Sequence, residues 1–272
     1  DAQESRGLGD VYKRQRYIRK EIIMENYRLE GKTFVIDDYD RLPAFSSFLP
    51  GLAGVKGIPM WTFYTNRGQG MNSFGIDNKG NAIMEFNSAN TAFENTTVKG
   101  FRTFLTIDGE YYEPFFKYED DAKRQIRMNK NSFKVIERNE KYGIEITVNY
   151  YVLPNESIGA LVRQVSIKNI SGQKKNIEII DGLPKIITYG ISNGEFKEMS
   201  NLFKSWADIK NLENKVPYYT LRASTKDSAE VSDVEGGYYY LTIKDNELQD
   251  VIYDVDTVYG CLLYTSPSPR DS

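Results

Sequence analysis

Residues 48–74, FLPGLAGVKGIPMWTFYTNRGQGMNSF, combine residue types that suit a sugar. Gly51, Gly54, Gly57, Gly68 and Gly70 permit close backbone approach. Trp61 and Tyr64 offer aromatic faces, while Asn66, Arg67, Gln69 and Asn72 offer planar hydrogen-bonding groups. A pyranose has one apolar face and a rim of hydroxyls, so aromatic rings beside forked donors and acceptors match it. Arg67 also fits an oxyanion such as phosphate, which its guanidinium can grip with two parallel bonds. The same composition fits a glycine-rich hairpin whose arginine makes a structural ion pair.

Two other patterns carry less chemistry. Asp37, Asp38 and Asp40 in VIDDYDRLP could supply the carboxylate pair of a glycosidase. Neighbouring residues on an extended segment point to opposite faces, however, and a turn before Pro43 explains them better. The glycines of GLAGVKG precede a strand pattern and not a helix, so a phosphate loop lacks its helix N-terminus. Histidine is absent and the sole cysteine is Cys261, which excludes His-dependent triads and leaves a transition-metal site without its usual ligands. No metal and no organic cofactor is expected. The net charge of −3, with no basic stripe, argues against nucleic acid. No apolar run is long enough to span a bilayer, and residues after Met24 lack a secretory signal, so a cytoplasmic protein is expected.

The ends of the chain read as nucleotide sequence rather than protein. SRGLGDVYKRQ (residues 5–15) back-translates to a transposon sequencing adapter, and CLLYTSPSPRD (residues 261–271) to its reverse complement. Lys20-Glu21-Ile22-Ile23-Met24 can be read as a ribosome-binding sequence and start codon. Residues 1–23 and 261–272 are therefore expected to be non-native, with a truncated native domain over residues 24–260 that contains Arg67 and its neighbours.

The elements that must position those residues follow a period of two. Ile144, Ile146, Val148, Tyr150 and Val152 alternate with Glu145, Thr147, Asn149 and Tyr151, as in a half-buried strand. Similar runs occur at residues 33–36, 60–64, 82–86, 101–107, 132–137, 160–168, 176–180, 218–223 and 238–243, with turn signals such as Asp108-Gly109 and Ser171-Gly172 between them. This spacing predicts an all-β fold of antiparallel sheets packed as a sandwich, with one or two short helices. The clearest helix spans residues 198–212, where Met199, Leu202, Phe203, Trp206 and Ile209 form a stripe that should pack on a sheet.

The stretch FLPGLAGVKGIPMWTFYTNRGQGMNSFGIDNKGNAIMEFNSANTAF (residues 48–93), followed by GFRTF (100–104), resembles the N-terminal domain of glycoside hydrolase family 94 phosphorylases, most of all the branch acting on 1,2-beta-oligoglucans. DGLPKIITYG (181–190), the Trp206 segment, VPYYTLRASTKDSAEV (216–231) and YDVDTVYG (253–260) agree with it. The resemblance implies a galactose mutarotase-like beta-supersandwich, followed in the whole protein by a helical linker and an (alpha/alpha)6 barrel. It implies cleavage of beta-glucosidic bonds by inorganic phosphate, with inversion to alpha-glucose 1-phosphate. A barrel Asp is the acid and phosphate replaces the attacking water. That barrel would follow Gly260, so no residue of this chain inherits the catalytic role. In the family the sandwich supports a homodimer and borders the oligosaccharide substrate. Arg67 and Gln69 are then the first substrate-binding candidates, joined by Asn66, Trp61 and Arg102.

Two other functions compete. One is a stand-alone carbohydrate-binding or structural sandwich. The other is a mutarotase-like epimerase, against which the absence of a histidine acid–base counts.

Overall fold

The computed structural model describes residues 25–75, 80–116, 121–199, 202–222, 224, 229–230, 234–254 and 257–258. The adapter and leader stretches, the start at Met24 and the boundary at Gly260 lie outside the described residues.

In chain order, β1 (Tyr27–Glu30) and β2 (Thr33–Asp37) form a hairpin, followed by β3 (Ser46–Ala53), β4 (Ile58–Thr65), β5 (Met71–Gly75) and β6 (Ala82–Met84). Helix α1 (Ala89–Lys99) leads into β7 (Arg102–Ile107) and β8 (Glu110–Tyr112). Next come β9 (Ala122–Met128), β10 (Ser132–Asn139), β11 (Ile144–Val152), β12 (Leu161–Asn169) and β13 (Ile177–Gly182). The last part holds α2 (Asn193–Met199), α3 (Phe203–Trp206), β14 (Ala207–Lys210), β15 (Tyr218–Leu221), β16 (Tyr238–Tyr239), β17 (Thr242–Lys244) and β18 (Glu247–Gln249).

The strands pair antiparallel throughout the sheets. Six of them form the large sheet in the order β1-β2-β9-β10-β11-β12; β3-β4-β5-β6 form a second sheet and β13-β7-β8 a third. The alternation in β11 is realised as read: Ile144, Ile146, Val148 and Tyr150 are buried. Val135 faces Val148 on one side and Ile126 on the other, which lines three strands' side chains along one inner face. Leu105, Ile107 and Tyr112 of the third sheet complete this core, with Leu49 and Tyr64 of the second packed against it. The protein is thus an antiparallel β-sandwich. Each fully buried Leu, Ile or Phe here contributes about 1.5–3 kcal/mol.

Two elements depart from the sequence expectation. The helix expected over residues 198–212 stops at Trp206, and Ile209 lies in β14, opposite Tyr219. Strand pairing with β15 overrides the helical period there. Of the expected stripe, Phe203 is buried and stacks with Phe196 at 6.5 Å, Met199 packs against the same cluster, and Leu202 and Trp206 are exposed. The longest helix among the described residues, α1, lacks an apolar stripe because the residues it buries are small, Ala92 and Thr96. Ser88 caps its N-terminus by accepting from the Thr91 N–H at 3.4 Å.

Candidate functional site

The Asn66-Arg67-Gly68-Gln69-Gly70 segment is the turn from β4 to β5. Gly68 and Gly70 take φ of 68° and 91°, which a side chain would strain. Gly70 also admits a close approach: a Cβ on Gly100 would lie 2.8 Å from the Gly70 carbonyl and 2.5 Å from that of Thr96. The turn is drawn into the protein rather than held out. The Gly68 N–H donates to the Phe115 carbonyl at 3.1 Å, and Asn66 Nδ2 to the Leu42 carbonyl at 3.1 Å.

The candidates divide among separate environments. Arg67 donates from Nε to the Phe93 carbonyl at 3.2 Å and lies 3.9 Å over the Phe93 ring, so it ties the turn to α1. Burial lowers its pKa, against the pull of Glu94. Trp61 sits on the face of β4 opposite Thr62, where its ring meets Phe48 at 5.1 Å. Arg102 forms a two-pronged pair with Glu113 at 2.6 and 2.8 Å, between the rings of Phe104 and Phe116. That is the structural ion pair weighed for the hairpin arginine, at a different position.

Gln69 alone of the five reaches a shared polar centre. It is 3% exposed, and its Oε1 accepts from Arg163 Nη2 at 2.5 Å, with the Thr103 hydroxyl at 3.3 Å. Arg163 Nη1 donates to Asp181 Oδ2 at 2.5 Å and Nε to the Tyr150 hydroxyl at 3.2 Å. Thr103 donates to the second Asp181 oxygen at 2.6 Å. Burial opposes the charge on Arg163, but Tyr150 and Asp181 outweigh it and the pKa is raised. Burial likewise pushes the Tyr150 phenol up, against Arg163. The Asp181 side chain remains 33% exposed, leaving it able to accept a hydroxyl from outside while Arg163 is occupied within.

Arg163, Thr103 and Asp181 were not singled out from sequence. One signal for Arg163 was available: it has the same strand parity as Val165 and Ile167, both packed on the core, so a charge at that position needed a partner. The same parity argument applies to Glu137, between Val135 and Asn139 on the inner face of β10. Glu137 accepts from Arg124 Nε at 2.6 Å, from the Phe115 N–H at 2.7 Å and from the Tyr112 hydroxyl. Arg124 also pairs with Asp40 at 3.0 Å. Asp40 therefore neutralises a buried arginine, and Asp37 accepts from Gln125 Nε2 at 2.6 Å. Asp38 precedes and Asp40 lies within a 3-10 turn over Tyr39–Arg41, in line with the turn reading.

Among the described residues no three of His, Cys, Asp and Glu cluster as metal ligands. No helix among them is long and apolar enough to cross a membrane. Of known protein families none matches the chain, and no characterised protein matches it either.

Proposed function

We propose that the chain is the carbohydrate-associated sandwich of an inverting beta-glucan phosphorylase of the family 94 type, working in the cytoplasm as part of a homodimer. One observation carries this reading. Three separated stretches that share the phosphorylase-like pattern, 48–93, 100–104 and 181–190, meet at a single guanidinium through Gln69, Thr103 and Asp181. Their common pattern then has a common physical reason: each supplies one ligand of Arg163. The partly exposed Asp181 carboxylate gives this corner a hydroxyl-accepting edge, the chemistry an oligosaccharide needs.

In this reading the sandwich holds and borders substrate and does no chemistry itself. Purified chain is titrated with 1,2-beta-linked glucose oligomers by calorimetry and then incubated with them and phosphate. Saturable binding, weakened about tenfold or more by Asp181→Ala, with no glucose 1-phosphate released, is expected. Absence of binding, or turnover by the chain itself, contradicts the proposal.

A further inference from the structure

The Gln69 turn is fastened from a second side, by groups outside the Arg163 site. Glu137 is fully buried on β10, and its two carboxylate oxygens serve three donors. Oε1 takes the Tyr112 hydroxyl, while Oε2 takes Arg124 Nε at 2.6 Å and the Phe115 N–H at 2.7 Å. The Phe115 carbonyl accepts in turn from the Gly68 N–H at 3.1 Å. A single residue thus connects a buried carboxylate to the neighbour of Gln69. Two further contacts run the same way. Tyr39, buried beside Arg124 and Glu137, reaches the Gly68 carbonyl with its hydroxyl at 3.5 Å. Asn66 bonds the Leu42 carbonyl just past the 3-10 turn whose Asp40 pairs with Arg124.

Phe115 is the informative residue. Its φ is 64° and it is 1% exposed. Pro114 precedes it, as at the first central position of a turn whose second takes positive φ and is normally Gly or Asn. The other non-glycine residues with positive φ among the described residues are Asp, Asn or the exposed Lys215. A bulky buried residue stays in this region only where its surroundings over-determine it, and such strain gathers at functional sites. Here both backbone groups of Phe115 are held, one by Glu137 and one by Gly68. Loss of the carboxylate would leave the Phe115 N–H unpaired in a dry core, so the peptide would relax and carry its carbonyl away from Gly68.

We propose that Glu137 is a positioning residue for the Gln69–Arg163–Asp181 site: it holds Phe115 in its left-handed conformation, and the Phe115 carbonyl fixes Gly68 so that Gln69 meets Arg163. Its effect on oligosaccharide binding rests on the reading of the Asp181 edge given above.

The test compares Glu137→Met, which cannot accept from Phe115, with Glu137→Gln, whose amide oxygen can. Arg124 keeps Asp40 as its partner in both. Three quantities are followed on the full chain: amide exchange of Gly68 against that of Val148 in the core, the Arg163 Nε–H resonance, and affinity for 1,2-beta-linked glucose oligomers. In Glu137→Met the Gly68 amide should exchange about tenfold or more faster relative to Val148, the Arg163 signal should shift, and oligomers should bind about tenfold more weakly. Glu137→Gln should stay within about threefold of wild type in both rates and affinity. Ile144→Ala, which opens a cavity in the same core without touching the turn, should lower the melting temperature and leave the Gly68 to Val148 ratio unchanged. In the wild type the Gly68 amide should exchange within about tenfold of Val148, and this arm stands even if Glu137→Met does not fold. A Gly68 amide that exchanges freely in the wild type, a ratio unchanged in Glu137→Met, or equal effects of Met and Gln would each overturn the proposal. A wild type that binds no oligomer contradicts the Asp181 reading alone, and exchange and the Arg163 signal then decide the role of Glu137.

Discussion

Arg163, in the edge strand of the large sheet, reaches Asp181 at the end of β13 with an Nη1 to Oδ2 distance of 2.5 Å. Because β13 pairs with β7 and β12 with β11, this contact links two sheets that share no strand pairing. Arg163→Met removes donors from Gln69, Thr103, Tyr150 and Asp181 together. Leaving the Gln69, Thr103 and Tyr150 groups without their donor, while the partly exposed Asp181 is rehydrated, should cost about 1–3 kcal/mol, to be read by urea unfolding. Arg163→Lys keeps the charge but cannot serve all four partners, and should lose less than Arg163→Met. Equal stability of wild type and Arg163→Met would show that the sheets do not depend on this link.

The Arg124–Glu137 pair should behave as a coupled unit, since the two residues lie directly opposite each other on β9 and β10. Single alanine substitutions should each cost about 3–5 kcal/mol. The double variant should fall short of their sum by about 0.5–3 kcal/mol. Additive losses would mean that Asp40 and Tyr112 compensate fully for either partner.

Tyr238 gives a pH-dependent stability at the alkaline end. Burial, with a contribution from Tyr189, pushes its phenol from 10.0 up to about 12. The folded state therefore holds a proton that the unfolded state releases. Its contribution is fully present below pH 10 and is lost as pH rises from 10 to about 12. Tyr238→Phe should show a shallower loss of stability across that window than wild type. Parallel curves would contradict the assignment.

Gly100 marks where α1 gives way to β7 beside the Gln69 turn. Since a Cβ there would meet two backbone carbonyls within 3 Å, Gly100→Ala should cost about 1–3 kcal/mol as an overpacked contact that side chains cannot relieve. A melting temperature equal to wild type would show that the turn can shift.

Much of the sheet structure was legible because alternation is a local signal: β11 is bounded by the residues that the period of two picked out. Helix α1 was hidden, since Ala92 and Thr96 bury a face too small to register as apolar. Residues 207–210 were misread because Ile209 continues a helical spacing while its partner Tyr219 is distant in sequence. For the site, types were legible and partners were not. The sequence marks Arg67 and Gln69 as capable of recognition, yet only tertiary structure shows that Arg67 clamps α1 while Gln69 joins Arg163 and Asp181. Register between β7 and β13, which brings Thr103 opposite Asp181, depends on a pairing that no short window contains.

We propose that this sandwich serves a beta-glucan phosphorylase and does no chemistry itself. The most direct measurement expresses both the 272-residue chain and an extended gene product and follows phosphate-dependent release of alpha-glucose 1-phosphate from 1,2-beta-linked glucose oligomers. Release by the extended protein, and none by the 272-residue chain, is the expected result. An extended protein that binds the oligomers but releases no glucose 1-phosphate, or a reading frame that closes without a helical barrel, would contradict it.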